Sequence, residues 1–189
     1  MGIAKFLKSG RITLNGIENI IEIENCSTSL PYKEISPSDW GQVYEKYVGQ
    51  ILENEGYTVQ YRGLELGFLD RGIDLVAENE HCINFIQCKF LKNKIGKTKI
   101  DWILYKASSK LHEQHKSSGK ELKFTLVVNN IDMNFSKRIP KNFRLAFTEA
   151  SNFKHPWLQY FLDHNHVQDK VKLECREIRM NNNFSQQSV

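Results

Sequence analysis

Glu45, Asp74, Gln87 and Lys89 have the types and spacing to carry out hydrolytic chemistry. Asp74 stands between the apolar residues Ile73 and Leu75. Gln87 and Lys89 are two residues apart in a strand-like run, so their side chains share one face. If the strand holding Asp74 pairs with the strand holding Gln87, these groups meet at one end of a hairpin. A carboxylate and an amide oxygen are hard donors, suited to Mg²⁺ or Mn²⁺ and poor for soft metals. Such a cation polarises a phosphoryl oxygen and acidifies water. The Lys89 ammonium beside it can orient that water and offset charge developing in the transition state. Asp74 and Glu45 would repel each other without a cation between them. The chemistry this set points to is metal-dependent hydrolysis of a phosphodiester.

Regular elements must hold these side chains. A helix is predicted from Ser36-Pro37, with Ser36 as cap, Pro37 at the first helical position and Asp39 near the positive dipole end. Its apolar stripe is Trp40, Val43, Tyr44, Tyr47, Val48, Ile51 and Leu52, and Gly56 stops it. Glu45 falls at the edge of the stripe, beside Val48 and Leu52, where it reaches over the boundary of the core. Residues 57–61, 73–77 and 82–90 read as strands, the last two joined by the polar turn Glu78, Asn79, Glu80 and His81. A second helix is predicted over about 97–117, with Ile100, Ile103, Leu104, Ala107 and Leu111 on one face and Gly119 after it. Residues 122–128 then read as a buried strand reached by a helical crossover.

The core order is αβββαβ, an α/β layer in which a mixed sheet is flanked by helices. This core is assigned to 36–130. Residues 1–35 read as a β appendage or subunit contact, with a hairpin around Asn15-Gly16 among Ile12, Leu14, Ile17, Ile20, Ile21 and Ile23. Residues 131–180 read as an extension of the same domain, with strands near 143–147 and 171–178 and a helix near 148–163. The polar tail 181–189 is expected to fray.

In this order the residues resemble a known family. Glu45 on a helix, then Gly67-Phe68-Leu69-Asp70-Arg71-Gly72-Ile73-Asp74-Leu75-Val76-Ala77, then Phe85-Ile86-Gln87-Cys88-Lys89-Phe90, is similar to the PD-(D/E)xK nuclease superfamily. The nearest branch is the Mrr-like restriction endonucleases, which carry a Gly-Asp-x-Gly-Ile-Asp-Leu-like stretch and Gln-x-Lys in place of Glu-x-Lys. The matching residues are Asp70, Gly72, Ile73, Asp74 and Leu75, followed by Gln87 and Lys89. The likeness spans about 36–130 and is silent on 1–35 and 145–189.

The resemblance implies a restriction-endonuclease-like fold and an Mg²⁺- or Mn²⁺-dependent DNA endonuclease of restriction or repair type. By position, Asp74 would be the central metal ligand, Gln87 would take the second acidic place, and the Cys88 backbone carbonyl would ligate too. Lys89 would position and activate water, and Glu45 would be an auxiliary ligand. Ile73 stands at the nominal proline. Gln87 carries no charge, so Glu45 or Asp70 has to supply the missing negative charge, or metal binding is weak. Asp70 reads equally as a support for the ligands or as a loop charge. A double-strand break from one site per chain favours a homodimer. Two other readings stay open. One is a Holliday-junction or structure-specific nuclease on the same fold. The other is a non-catalytic DNA-binding module, which the neutral Gln87 favours and the pair Asp74 and Lys89 disfavours.

The rest of the composition narrows the class. The 189 residues are 40% hydrophobic and 25% charged, ordinary for a globular chain. Lys and Arg number 26 against 22 Asp and Glu, a net +4. That excludes a histone-like tail and permits a local nucleic-acid surface. Lys92, Lys94, Lys97 and Lys99 follow the site directly, in a stretch whose acids before Lys123 are Asp101, Glu113 and Glu121. Such lysines hold phosphates without reading sequence, though a charge run is also the usual mark of a solvated helix face. Trp102 and Tyr105 read as stacking or packing residues.

Cys26, Cys82, Cys88 and Cys175 form no C-x-x-C pair, which argues against a zinc ribbon or a thioredoxin-type motif. Gly96-Lys97-Thr98 imitates a P-loop end, but Leu91 stands where the loop needs glycine. His112, His115, His164 and His166 lack further ligands and read as surface residues. The aromatic set Phe143, Phe147, Phe153, Trp157, Tyr160 and Phe161 reads as core or dimer packing. No apolar run is long enough for a membrane span, and the opening residues are too short an apolar stretch for a secretory signal. A cytoplasmic protein with free thiols is expected.

Overall fold

The computed structural model describes residues 2–67, 72–96, 98–100, 102, 103, 106, 107, 111, 119–134 and 171–180. In chain order these form α1 (Ile3–Lys8), β1 (Ile12–Asn15), β2 (Ile20–Ile23), β3 (Ser29–Pro31), α2 (Asp39–Asn54), β4 (Thr58–Gln60), α3 (Arg62–Leu66), β5 (Leu75–Glu78), β6 (Cys82–Lys89), β7 (Glu121–Val128) and β8 (Val171–Glu177). A 3-stranded antiparallel sheet has the order β1-β2-β3, and a 5-stranded sheet has the order β4-β5-β6-β7-β8. In the larger sheet β4, β5 and β6 run antiparallel, while β6, β7 and β8 run parallel. The mixed sheet flanked by helices is the α/β architecture that the sequence pattern implies.

The change of direction at β6 follows from the connections. A turn at residues 79–81 joins β5 to β6, whereas β6 and β7 are separated by residues 90–120, long enough for the crossover that parallel strands require. The described residues of that crossover between 98 and 111 are helical, and Ile100, Ile103, Ala107 and Leu111 are buried together against the sheet. Their sheet partners are Val76, Phe85, Leu122, Phe124, Leu126 and Val128. The alternate residues of the strands, Leu75, Ala77, Ile86, Cys88 and Val127, face the other way and pack against Val43, Tyr44, Val48 and Leu52 of α2. With both faces covered, β6 and β7 read as nearly continuous apolar runs.

The N-terminal segment belongs to the second of these layers. Phe6, Leu7, Ile12, Ile21, Ile23 and Ile35 are buried in the same cluster as α2. Gln50 fastens the two parts: its Oε1 accepts from the Ile12 N–H at 2.7 Å and its Nε2 donates to the Ile12 carbonyl at 2.9 Å. The Arg11 guanidinium adds a 2.7 Å bond to Glu53. The segment expected as an appendage or subunit contact therefore shares a core with the helix that carries Glu45.

Local details differ from the sequence expectations for identifiable reasons. α2 begins at Asp39, later than Ser36-Pro37, yet Ser36 still does capping work: its Oγ accepts from the Asp39 N–H and its carbonyl from the Trp40 N–H. The first hairpin has a longer connection than a two-residue turn. Asn15 Oδ1 accepts from the Ile17 and Glu18 N–H groups, Asn19 takes a positive φ, and Ile17 is left 94% exposed at the tip. The expected strand 171–178 is β8. The elements expected at 143–147, 148–163 and 181–189 lie outside the described residues.

Candidate active site

Asp74 sits one residue before β5 and is 5% exposed. The β5–β6 register pairs Leu75 with Ile86, so one further step sets Asp74 opposite Gln87. Among the described residues, three hydrogen bonds hold Asp74. Its N–H donates to the Ile86 carbonyl at 2.9 Å, its carbonyl accepts from the Gly63 N–H at 2.8 Å, and its Oδ2 accepts from the Cys88 N–H at 2.6 Å. The carboxylate is thus a clasp at the open end of the hairpin, joined to the backbone of β6 through the Cys88 N–H.

Gln87 is 6% exposed, and its Oε1 is a buried acceptor with no hydrogen-bond partner among the described residues. Buried acceptors are rarely left so, because the lost solvation costs about 1–3 kcal/mol. Gly72 explains part of the packing around it. Its φ is +77°, a conformation that disfavours L side chains, and a β-carbon there would lie 3.2 Å from Gln87 Nε2 and 2.9 Å from Lys106 Cδ. The glycine before Ile73-Asp74 lets the loop turn while the Gln87 amide and the Lys106 stem close over it. Lys89 ends β6 on the same face as Gln87 and is half-buried.

Glu45 approaches from α2, half-buried as its stripe-edge position implies. It lies against α3, where a β-carbon on Gly63 would come within 2.3 Å of Glu45 Oε2. Gly63 is also the donor to the Asp74 carbonyl. The short helix α3, which the sequence pattern did not predict, is therefore the spacer between Glu45 and Asp74. Cys88 faces the α2 side, and its thiol is pushed well up, first by burial, then by the charges of Asp74 and Glu45, with Lys89 opposing. Those three charged groups therefore all act on one buried point. The contact from Cys88 to Asp74 is made by its N–H.

Lys92, Lys94 and Lys99 follow β6 and are exposed; Lys97 and Asp70 lie outside the described residues. Asparagines that sequence reasoning did not single out hold this loop. Asn134, fully buried, donates from Nδ2 to the carbonyls of Leu91 at 2.8 Å and Asn93 at 3.1 Å, and its own carbonyl accepts from Ile95. Asn129 Oδ1 accepts from the Leu91 N–H at 2.9 Å. The lysine loop is thus stapled to the chain leaving β7.

Among the described residues, no three His, Cys, Asp or Glu side chains group as a metal site. The hard donors that could serve here are the carboxylates of Asp74 and Glu45 and the amide oxygen of Gln87. Gln87 Oε1, an acceptor with no donor among the described residues, fits a hard divalent cation. A depression of about 670 Å³, lined by Gly56, Thr58, Glu78, Asn79, Glu80, His81 and Lys120, lies at the other end of the hairpin, away from these groups.

A family model described as a restriction endonuclease, of the Mrr catalytic type, matches residues 42–158. The matched span begins in α2 just ahead of Glu45 and includes Asp74, Gln87, Lys89 and the lysine-rich crossover. No curated protein and no solved structure gives a match.

Proposed function

The chain belongs to the restriction endonuclease family, and from that membership we propose that it is an Mg²⁺- or Mn²⁺-dependent DNA endonuclease of restriction or repair type. The family carries the nuclease activity. The observation that supports the finer reading is the buried Gln87 Oε1, an acceptor without a donor among the described residues, on the residue opposite Asp74. In this reading Asp74, Gln87 Oε1, Glu45 and the Cys88 carbonyl hold the cation. When bound, it supplies Lewis-acid polarisation of the scissile phosphoryl group.

The chain's own residues do the rest. The Cys88 N–H fixes the Asp74 carboxylate before substrate arrives, so no reorganisation is needed at the moment of reaction. Lys89 orients the attacking water and offsets the charge that builds on the phosphoryl oxygens. The water oxygen bonds to phosphorus and its proton passes to solvent, while the ester oxygen opposite leaves and takes a proton from solvent. Lys92, Lys94, Lys97 and Lys99 hold neighbouring phosphates through charge alone. Cutting both strands with one site per chain calls for two copies. The four cysteines are free, which supports work in a reducing cytoplasm. Among the described residues no helix is long and apolar enough to cross a membrane.

Incubating supercoiled plasmid with the purified chain in Mg²⁺, Mn²⁺ or chelator tests the proposal. Nicked or linear product is expected with either cation and none with chelator. Asp74→Ala should abolish cleavage and leave DNA affinity largely intact. The uncharged Gln87 favours a second reading, a DNA-binding module without catalysis. Tight binding with no cleavage in either cation is the result that would select it.

A further inference from the structure

The crossover helix presents a second surface to this site. Lys99, Trp102 and Lys106 are all exposed, and Trp102 is 57% exposed despite being a large aromatic residue. At about 100° per residue they fall within an arc of roughly 60°, flanking the buried seam of Ile100, Ile103 and Ala107. The arrangement is lysine, indole, lysine, spread over about 10 Å of helix axis. Its inner end is anchored at the candidate site. The Lys106 stem passes over Gly72, whose missing β-carbon would meet Lys106 Cδ at 2.9 Å and Gln87 Nε2 at 3.2 Å. The aliphatic part of Lys106 is therefore packed beside Gln87, although the residue as a whole is exposed.

We propose that the flank Lys99–Trp102–Lys106 guides the substrate strand into this site, and that the substrate carries an unpaired nucleotide whose base stacks on Trp102 beside a phosphate held by Lys106. This rests on the nuclease reading above. Charge complementarity argues for a nucleic acid, since exposed lysines precede and follow the indole on one helix face. The indole argues for an unpaired base, since bases inside a duplex already use both faces for stacking. A flap, a frayed end or a branch point supplies such a base; a blunt linear duplex does not.

The test uses the full chain in chelator, so that binding is read without cutting. The probes are a duplex with a short single-stranded flap bearing 2-aminopurine, and the matching blunt duplex. The wild type should bind the flap more tightly and change the 2-aminopurine fluorescence. Trp102→Ala should weaken flap binding by about 5- to 100-fold, the worth of one stacked base, and leave blunt-duplex binding unchanged. Trp102→Phe should keep most of the preference. Lys106→Gln should lower the salt slope of binding by about 0.7–0.9, one phosphate contact. Unfolding curves of the variants should match the wild type, because Trp102 lies at the surface and glutamine keeps the Lys106 stem as far as Cδ. A flap-to-blunt ratio unmoved by Trp102→Ala overturns the proposal, as does a change in oligomeric state on that substitution, which would make the patch a contact between copies. If the wild type cuts DNA but the ratio does not move, the guiding surface fails and the nuclease reading stands. If the ratio moves but no DNA is cut in Mg²⁺ or Mn²⁺, the nuclease reading fails and the surface stands as a binding site. If neither probe is bound, both fall.

Discussion

The two ends of the β5–β6 hairpin are built from similar residues and end in opposite states. At the turn, Asn79 Oδ1 accepts from the His81 and Cys82 N–H groups, at 2.9 and 2.8 Å. Lys120 donates to Glu78 and to the Asn79 carbonyl, each at 2.7 Å. This end forms a depression, yet Glu78, Asn79 and Lys120 in its lining are hydrogen-bonded to protein groups. At the open end there are buried polar groups and a close-packed glycine, and Gln87 Oε1 has no donor among the described residues. Concavity with satisfied groups is what a turn needs in order to fold. A buried acceptor left unmatched costs stability, and a fold keeps it where a ligand will complete it.

That contrast can be broken by experiment, and Asp74 is the most sensitive place to press. Asp74→Asn keeps an oxygen for the Cys88 N–H but loses the charge. Cleavage should fall by about 10³-fold with little change in melting temperature, whereas Asp74→Ala should also lose about 1–3 kcal/mol by stranding that N–H. If both variants melt alike, the carboxylate is not the clasp described here. Gln87→Leu is the next largest test, since it removes an unmatched acceptor. Metal-dependent cleavage should drop by about 10²-fold while stability measured in chelator holds or rises. A marked loss of stability would mean that the amide is already satisfied and has no opening for a cation. Asn79→Ala at the turn should do the reverse, lowering stability by about 1 kcal/mol in urea unfolding and leaving cleavage untouched. Lys120→Ala should be smallest, within about 1 kcal/mol, because its pair with Glu78 is partly solvated.

Much of the scaffold was legible because it is periodic. The stripe Val43, Tyr44, Val48 and Leu52 is buried, and so are Ile100, Ile103, Ala107 and Leu111 of the crossover. The pairing of β5 with β6 followed from two apolar runs and a polar turn, and that pairing alone brings Asp74 and Gln87 opposite each other. What was not legible lacks a period. α3 is five residues long with a glycine inside it, too short to show a face. The Gln50 and Asn134 bonds join residues 38 to 43 positions apart, and an isolated amide gives no local sign of its partner. The position of Glu45 at the stripe edge could be read from the helix, but its seat against Gly63 could not, because it depends on where the next helix turns.

β6 is the third of five strands, bonded to β5 on one side and β7 on the other, with helices over both faces. Amides in such a strand exchange with solvent chiefly when the whole domain opens. The backbone beneath Gln87 and Lys89 is accordingly among the stiffest in the molecule, and it has little freedom to adapt to what it binds. Shape adjustment on meeting a nucleic acid must then come from the nucleic acid, so sequences and structures that bend or unstack easily should be attacked first.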